Sequence, residues 1–373
     1  MILDSKFDDI AMEPFKELLE KAVEKGARPI GYTCSYVPEV LLSVGDLVPV
    51  RLTACKADDT EMADIYLSNM LCSYVRSILE YAMDGRYDFL DGWVLTTGCS
   101  HLHRLSSNVE YLVKPDFQHL LDVPSITSPT AMKWYKRELE ELRHNISEHF
   151  ETDMSDSALS ATIAEYNSQV AVMKEIGDLR KAKLPLISGG EFHRLMMAWA
   201  TMPRAVVAEE AKALRQKLER RNKKHDSRAR IMMVGAQVYH PGLIDAIESQ
   251  NAILVADRHC TGSIPGLMTI DESKEPMDAI NDHVFKRTAC PSIQQEHKQR
   301  FEAVMRAVDE YAVDGIILES IKFCDIWGYE TTTMADALRD AGVPVLQLEC
   351  NYPMRAEGQV QTRVQAFLES MGV

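Results

Sequence analysis

Short unbroken apolar runs alternate with longer stretches at helical spacing over much of this chain. Pro29-Ile30-Gly31-Tyr32-Thr33-Cys34 predicts a buried strand that delivers Cys34 to a turn, and Val48–Leu52 and Trp93–Thr97 predict two more. Around them the period changes. Residues 8–26 read as an amphipathic helix stopped by Gly26, a second helix runs from Pro38 to Gly45, and a third from Leu71 to Met83. Strands that alternate with helices at this spacing imply βαβ units and a parallel sheet.

From residue 131 to 183 apolar positions recur at helical spacing among many charges, which predicts an α-helical connector or cap. The Ser155-Asp156-Ser157 group is placed to cap the second of its helices. Pro185–Gly190 interrupts, and more helix runs to about Lys224. The basic group Arg220, Arg221, Lys223, Lys224 with His225 reads as a solvated helix end, where cations are favoured. A second α/β block follows, with strands at Ile231–Gly235, Ala252–Ala256, Ile316–Leu318 and Pro344–Leu348. Its helices are expected at Pro241–Gln250, Asp278–Phe285, Gln299–Tyr311, Thr332–Asp340 and Thr362–Met371.

The predicted fold class is α/β, with two Rossmann- or flavodoxin-like parallel-sheet domains joined by a helical segment. An N-terminal α/β domain spans 1–130 and carries Cys34, Cys72 and Cys99. The helical connector spans 131–228, and a C-terminal α/β domain over 229–373 carries Cys260, Cys290 and Cys324.

Composition narrows the functions. A length of 373 residues suits two or three domains, and 46% apolar with 26% charged residues is ordinary for a globular protein. A net charge of −15 argues against a nucleic-acid footprint, which needs a basic face. Met1–Phe7 holds no apolar signal core, and no stretch reaches the ~18 apolar residues of a membrane span. The expected location is therefore the cytoplasm, where disulfides are rare and cysteines serve metals or catalysis. The phosphate-binding glycine patterns and the G-x-S-x-G elbow are absent, so no nucleotide is expected on this chain. Any ATP dependence would come from a partner.

Eight cysteines remain to be explained. Ligands in open α/β sheets sit beyond the carboxyl ends of the strands, and Cys34, Cys99, Cys260 and Cys324 all fall at such positions. Cys72 opens an apolar-periodic helix. Separate loops that bring thiols together suggest a thiolate cage, with an iron–sulfur cluster in the interdomain cleft as its natural occupant. Structural zinc ordinarily shows paired C-x₂₋₄-C knuckles, which are missing, so a zinc-stabilised or metal-free scaffold ranks behind. Cys55 and Cys350 lack the loop setting and read as small core residues. Ser35 and Tyr36 are candidate polar liners. His101 and His103 flank Cys99 and can carry protons or ligate metal, and Glu39 and Glu330 stand close behind Cys34 and Cys324.

Gly31-Tyr32-Thr33-Cys34-Ser35-Tyr36-Val37-Pro38-Glu39, Leu71-Cys72-Ser73-Tyr74-Val75-Arg76-Ser77 and Asp91–Cys99 resemble three motifs of one family, that of the 2-hydroxyacyl-CoA dehydratases and benzoyl-CoA reductases. Cys260-Thr261-Gly262, Cys290-Pro291, Asp314–Asp325 and Gln359–Phe367 extend the resemblance over nearly the whole chain. It implies that Cys72, Cys99 and Cys324 hold a [4Fe–4S] cluster. It also implies a homologous second subunit, or a second copy of this chain, and a separate ATP-dependent iron–sulfur activator that injects a low-potential electron. The implied substrate is an acyl-CoA thioester, reduced by one electron to a ketyl radical, which makes loss of a 2-hydroxyl feasible. In that setting Ser35 and Glu39 are candidate liners of the catalytic site and His101 a candidate proton carrier. The family often has aspartate directly after the third-motif cysteine, where this chain has Ser100.

A related branch uses cysteines at six motif positions to hold a double-cubane [8Fe–9S] cluster for ATP-coupled reduction of small molecules. Cys34, Cys260 and Cys290 complete that set here. The Lys322-Phe323-Cys324-Asp325 and Cys290-Pro291 contexts look more like the acyl-CoA branch, so the three-thiol reading is the first expectation and the six-thiol reading its rival.

Overall fold

The computed structural model describes residues 16–373 except 56, 58, 222–224, 264–266, 288–289 and 353–356. Residues 8–15 of the first expected helix, and Lys223, Lys224, Thr288 and Ala289, lie outside the described residues.

After helix α1 (Lys16–Val23), the first half runs β1 (Arg28–Tyr32), β2 (Leu47–Arg51), α2 (Ala63–Tyr66), α3 (Ser73–Met83), β3 (Gly92–Thr96), α4 (Ser100–Leu112) and β4 (Gln118–Leu121). Four helices follow: α5 (Pro129–Phe150), α6 (Asp156–Asp178), α7 (Gly189–Thr201) and α8 (Arg204–Glu219). The second half holds β5 (Ala229–Gly235), α9 (Gly242–Glu248), β6 (Ala252–His259), α10 (Pro276–Arg287), α11 (His297–Tyr311), β7 (Gly315–Ile321), α12 (Asp325–Asp340), β8 (Val345–Cys350) and α13 (Glu357–Ser370). Among the described residues no helix is long and apolar enough to cross a membrane.

Both sheets are four-stranded and wholly parallel, in the orders β2-β1-β3-β4 and β6-β5-β7-β8. The two orders match position for position, so β3 of one half corresponds to β7 of the other. Burial explains the apolar runs: every residue of β3 is buried, and β5 is buried except at Arg230. One large core of buried side chains takes members from both halves and from α5–α8. The helical stretch therefore packs between the sheets as part of the core.

Register sets the strand ends level. Tyr32 pairs with Arg51 and with Val94, so the exits of β1 and β2 stand side by side. Gly235 pairs with His259 and with Glu319, which brings Ala236, Cys260 and Glu319 to one edge of the second sheet. Gly235 is required there, since a Cβ would meet the Glu319 carbonyl oxygen at 2.2 Å.

Four expectations need correction. The predicted helix from Pro38 to Gly45 is a buried loop with one 3₁₀ turn at Leu41–Ser43. The strands expected at Ala252–Ala256 and Ile316–Leu318 run on to His259 and Ile321, carrying Asp257, Arg258 and Glu319 within them. Strand β4 adds a fourth member to the first sheet where the apolar pattern predicts none. The helix expected from Thr332 begins at Asp325, directly behind Cys324.

Candidate functional site

Six of the eight thiols line one cavity where the two sheets' carboxyl ends meet: Cys34, Cys72, Cys99, Cys260, Cys290 and Cys324. Cys34 follows β1 by two residues, and Cys260 directly follows β6. Cys290 comes from the loop after α10. Cys55 and Cys350 are not in the wall.

Cys72, Cys99 and Cys324 share a further property. Each is the N-cap residue of a helix, α3, α4 and α12 respectively. The Leu102 amide donates to the Cys99 sulfur at 3.5 Å. Three helix N-termini therefore turn their free amides and positive dipole ends toward the cavity, which favours negative charge inside it.

Thiols raise the pKa of neighbouring thiols across the shared space. Cys99 and Cys324 each feel Cys72, and Cys324 also feels Cys99. Cys260 and Cys290 each feel Cys34, and Cys260 also feels Cys290. Cys34 acts on Cys99 as well. Burial pushes the Cys72 and Cys290 thiols up to about 11 and Cys99 up to about 12, and it raises Cys260 and Cys324 as well. Sulfurs that resist ionisation in a mostly apolar wall call for a cationic partner to carry them as thiolates.

Neighbours from every layer hold these loops. The Tyr135 hydroxyl on α5 donates to the Tyr36 carbonyl at 2.6 Å, and the Tyr352 amide donates to Ser73 Oγ at 2.8 Å. Tyr74 stacks on Tyr239 across the two halves at 5.6 Å. Trp327 on α12 shares the cavity wall with Cys260. Ser35 is in the wall, donating to the Cys260 carbonyl at 3.1 Å and accepting from Arg51 at 3.4 Å. Glu39 lies in an adjoining chamber and not in the thiol cavity. His101 is buried behind Cys72: its Nδ1 accepts the Cys72 amide at 3.3 Å, and its Nε2 stands 3.2 Å from Asp325. That geometry fixes the proton on Nε2, and burial lowers the ring's pKa against the pull of Asp325. A carboxylate thus reaches this corner from Asp325, while Ser100 itself is exposed. Glu330 faces away from the cavity, held bidentately by Arg300 at 2.8 and 2.9 Å.

Two polar side chains at the site lie within stretches that resemble the family's motifs but were given no role there. Arg51 ends β2, is 3% exposed, and lines the cavity as a buried cation. Glu319 is buried on β7 behind Ala236, whose amide donates to its Oε2 at 3.0 Å. Burial raises the Glu319 carboxyl to about 8, so it holds its proton at neutral pH. Because the folded value exceeds the unfolded one, its stability contribution is complete below about 4.5 and disappears as pH rises through about 8. Glu319→Gln is expected to flatten that part of the fall, on the order of 4 kcal/mol across the window. Denaturation of both proteins from pH 5 to 9 checks this; equal slopes would remove Glu319 as a proton holder.

The donor set fits soft-metal chemistry. Among the described residues the wall holds six sulfurs and no carboxylate, whereas calcium and magnesium need oxygen ligands. No three His, Cys, Asp or Glu side chains among the described residues are arranged around a single ion. The six sulfurs line a shared space, and sulfur ligands suit soft metals, including iron–sulfur clusters.

These features define a class: an α/β protein that presents a ring of thiols between two facing parallel sheets. Residues 34–371 match the family model described as 2-hydroxyglutaryl-CoA dehydratase, D-component, and the chain belongs to that family. It is 25% identical to the (R)-phenyllactyl-CoA dehydratase beta subunit of Clostridium sporogenes, over 98% of this chain and 97% of that protein. It is 23% identical to the (R)-2-hydroxyglutaryl-CoA dehydratase subunit beta of Acidaminococcus fermentans, over 99% of both. It is also 22% identical to a benzoyl-CoA reductase subunit of Thauera aromatica, over 88% of this chain and 87% of that one.

Proposed function

We propose that this chain is an iron–sulfur reductase subunit of the family, holding a double-cubane [8Fe–9S] cluster on Cys34, Cys72, Cys99, Cys260, Cys290 and Cys324. The observation that carries this reading is the segregation of the thiols. All six line one cavity, and the other two cysteines stand outside. When bound, such a group supplies low-potential electrons. A separate ATP-dependent activator would deliver them, since this chain has no nucleotide motif. A second copy of the chain is the expected partner.

The chain's own residues do the rest. Three helix N-termini stabilise negative charge at Cys72, Cys99 and Cys324. Val75, Leu102, Ile321 and Trp327 keep the wall apolar, which limits water and strengthens every charge interaction inside. Arg51 adds a fixed cation on the Cys34 side. Glu319 stores a proton behind Ala236, and His101 holds one at Nε2 between the Cys72 and Cys324 loops.

A second reading keeps the first expectation: a [4Fe–4S] cluster on Cys72, Cys99 and Cys324 alone, acting on an acyl-CoA thioester beside a homologous subunit. Two observations favour it. These three cysteines are the helix N-caps, and the relatives are dehydratase and benzoyl-CoA reductase subunits. Iron and sulfide counts on anaerobically purified protein separate the readings, about eight irons per chain for the first and about four for the second. Colourless protein with no paramagnetic signal after reduction would defeat both and leave a zinc or metal-free scaffold.

A further inference from the structure

A second, smaller chamber adjoins the thiol cavity, and its chemistry differs. Arg51 and Cys260 belong to the walls of both. Its other walls include Tyr32, Glu39, Trp199 and Arg204. Arg51 and Arg204 are 3% and 8% exposed, so two guanidinium groups are taken out of water within one small space. Arg51 Nη2, Arg204 Nε and Arg204 Nη1 are buried and have no hydrogen-bond partner among the described residues. Glu39 stands 3.7 Å from Arg204 Nη2, beyond hydrogen-bond distance. The groups acting most strongly on Arg51 are Tyr239, Tyr74, Tyr32 and Cys34, with no acid among them. The Arg204 guanidinium lies over the Trp199 and Tyr166 rings at 5.0 and 5.3 Å, which fixes its plane but leaves Nε–H and the Nη1 protons unused.

Buried N–H groups on a cation are expensive to leave unpaired, and a guanidinium's donor fork suits a planar oxyanion. We infer that the space between Arg51 and Arg204 is a binding site for a small monovalent oxyanion of formate size. Met196 and Ala200 on α7 line the chamber beside the two arginines. The bound anion stands against Cys260, wall to wall with the thiol cavity. As a substrate pocket the site rests on the reductase reading above; as a binding site it stands on the two arginines alone.

The test is therefore binding. Sodium formate is titrated calorimetrically into the full chain, purified anaerobically, with sodium chloride at matched ionic strength as the control. Saturable formate binding is expected, weakened about tenfold to a hundredfold by Arg204→Gln. Ala200→Leu fills the chamber without touching a charge, and it is expected to abolish binding while circular dichroism and iron content stay unchanged. The second variant keeps the test decisive if Arg204→Gln fails to fold. Absence of saturable binding to the native chain, equal binding by chloride, or an undiminished affinity in Ala200→Leu overturns the site. None of these outcomes depends on the iron count, so failure here and failure of the reductase reading are separable.

Discussion

Cys290→Ser is expected to leave the chain with about half its iron, and Cys99→Ser to leave it nearly colourless, with both proteins folded. Cys290 lines the cavity with Cys34 and Cys260, so under the six-thiol reading its loss removes one ligand. Cys99 caps α4 and also feels Cys34, and it is a ligand in both readings. Cys55→Ser and Cys350→Ser act as controls, because neither sulfur reaches the cavity, and they are expected to change nothing spectroscopically. Iron and sulfide analysis with visible spectra decides the series. Full iron in Cys290→Ser with loss in Cys99→Ser selects the three-thiol reading. Full iron in Cys99→Ser refutes both readings.

Glu330→Ala is expected to cost roughly 3–5 kcal/mol, the range for stripping one partner from a buried ion pair. Glu330 is buried, and its two oxygens accept from Arg300 Nε and Nη2. Arg300 in turn donates to the Ile293 carbonyl at 2.8 Å and to the Cys290 carbonyl at 3.5 Å. The pair thus ties α12, which Cys324 caps, to the loop that carries Cys290. Removing the carboxylate leaves the guanidinium buried without its counter-charge. Urea denaturation of wild type and variant measures the loss, and a change below about 1 kcal/mol would mark the pair as no stronger than an exposed one.

The thiol positions were legible because strand exits are legible. Apolar runs end where the chain leaves a buried sheet, and Cys34 and Cys99 sit at such ends. What escaped was polar structure inside apolar elements. Glu319 and Ser320 lie within β7, and a run counted by apolarity stops short of them at Leu318. Asp257 is within β6, neutralised by Arg180 at 2.8 Å from a helical segment far away in sequence. Strand β4 is four residues long, and Leu120 in it is exposed, so it offers little alternation to read. The first turns of α12 contain Gly328 and lead into Thr331-Thr332-Thr333, weak helix formers that packing against β7 overrides. Pro38–Gly45 failed in the opposite sense. Its Val40, Leu41, Leu42 and Val44 are all buried, so the segment is held by the core from every side and gains nothing from an amphipathic helix. Arg51 lies in a stretch that resembles the family's opening motif yet received no role, and Arg204 was silent, because no spacing marks a buried cation.

The matched order of the two sheets places Cys99 after β3 and Cys324 after the corresponding strand β7, each at the head of the next helix. A group held by both would be gripped from matching positions beside the two sheets, like a rivet through paired plates. Occupancy then adds to the free energy of the native state of both halves at once. The supply of that filler would thus govern how long the chain survives against proteases.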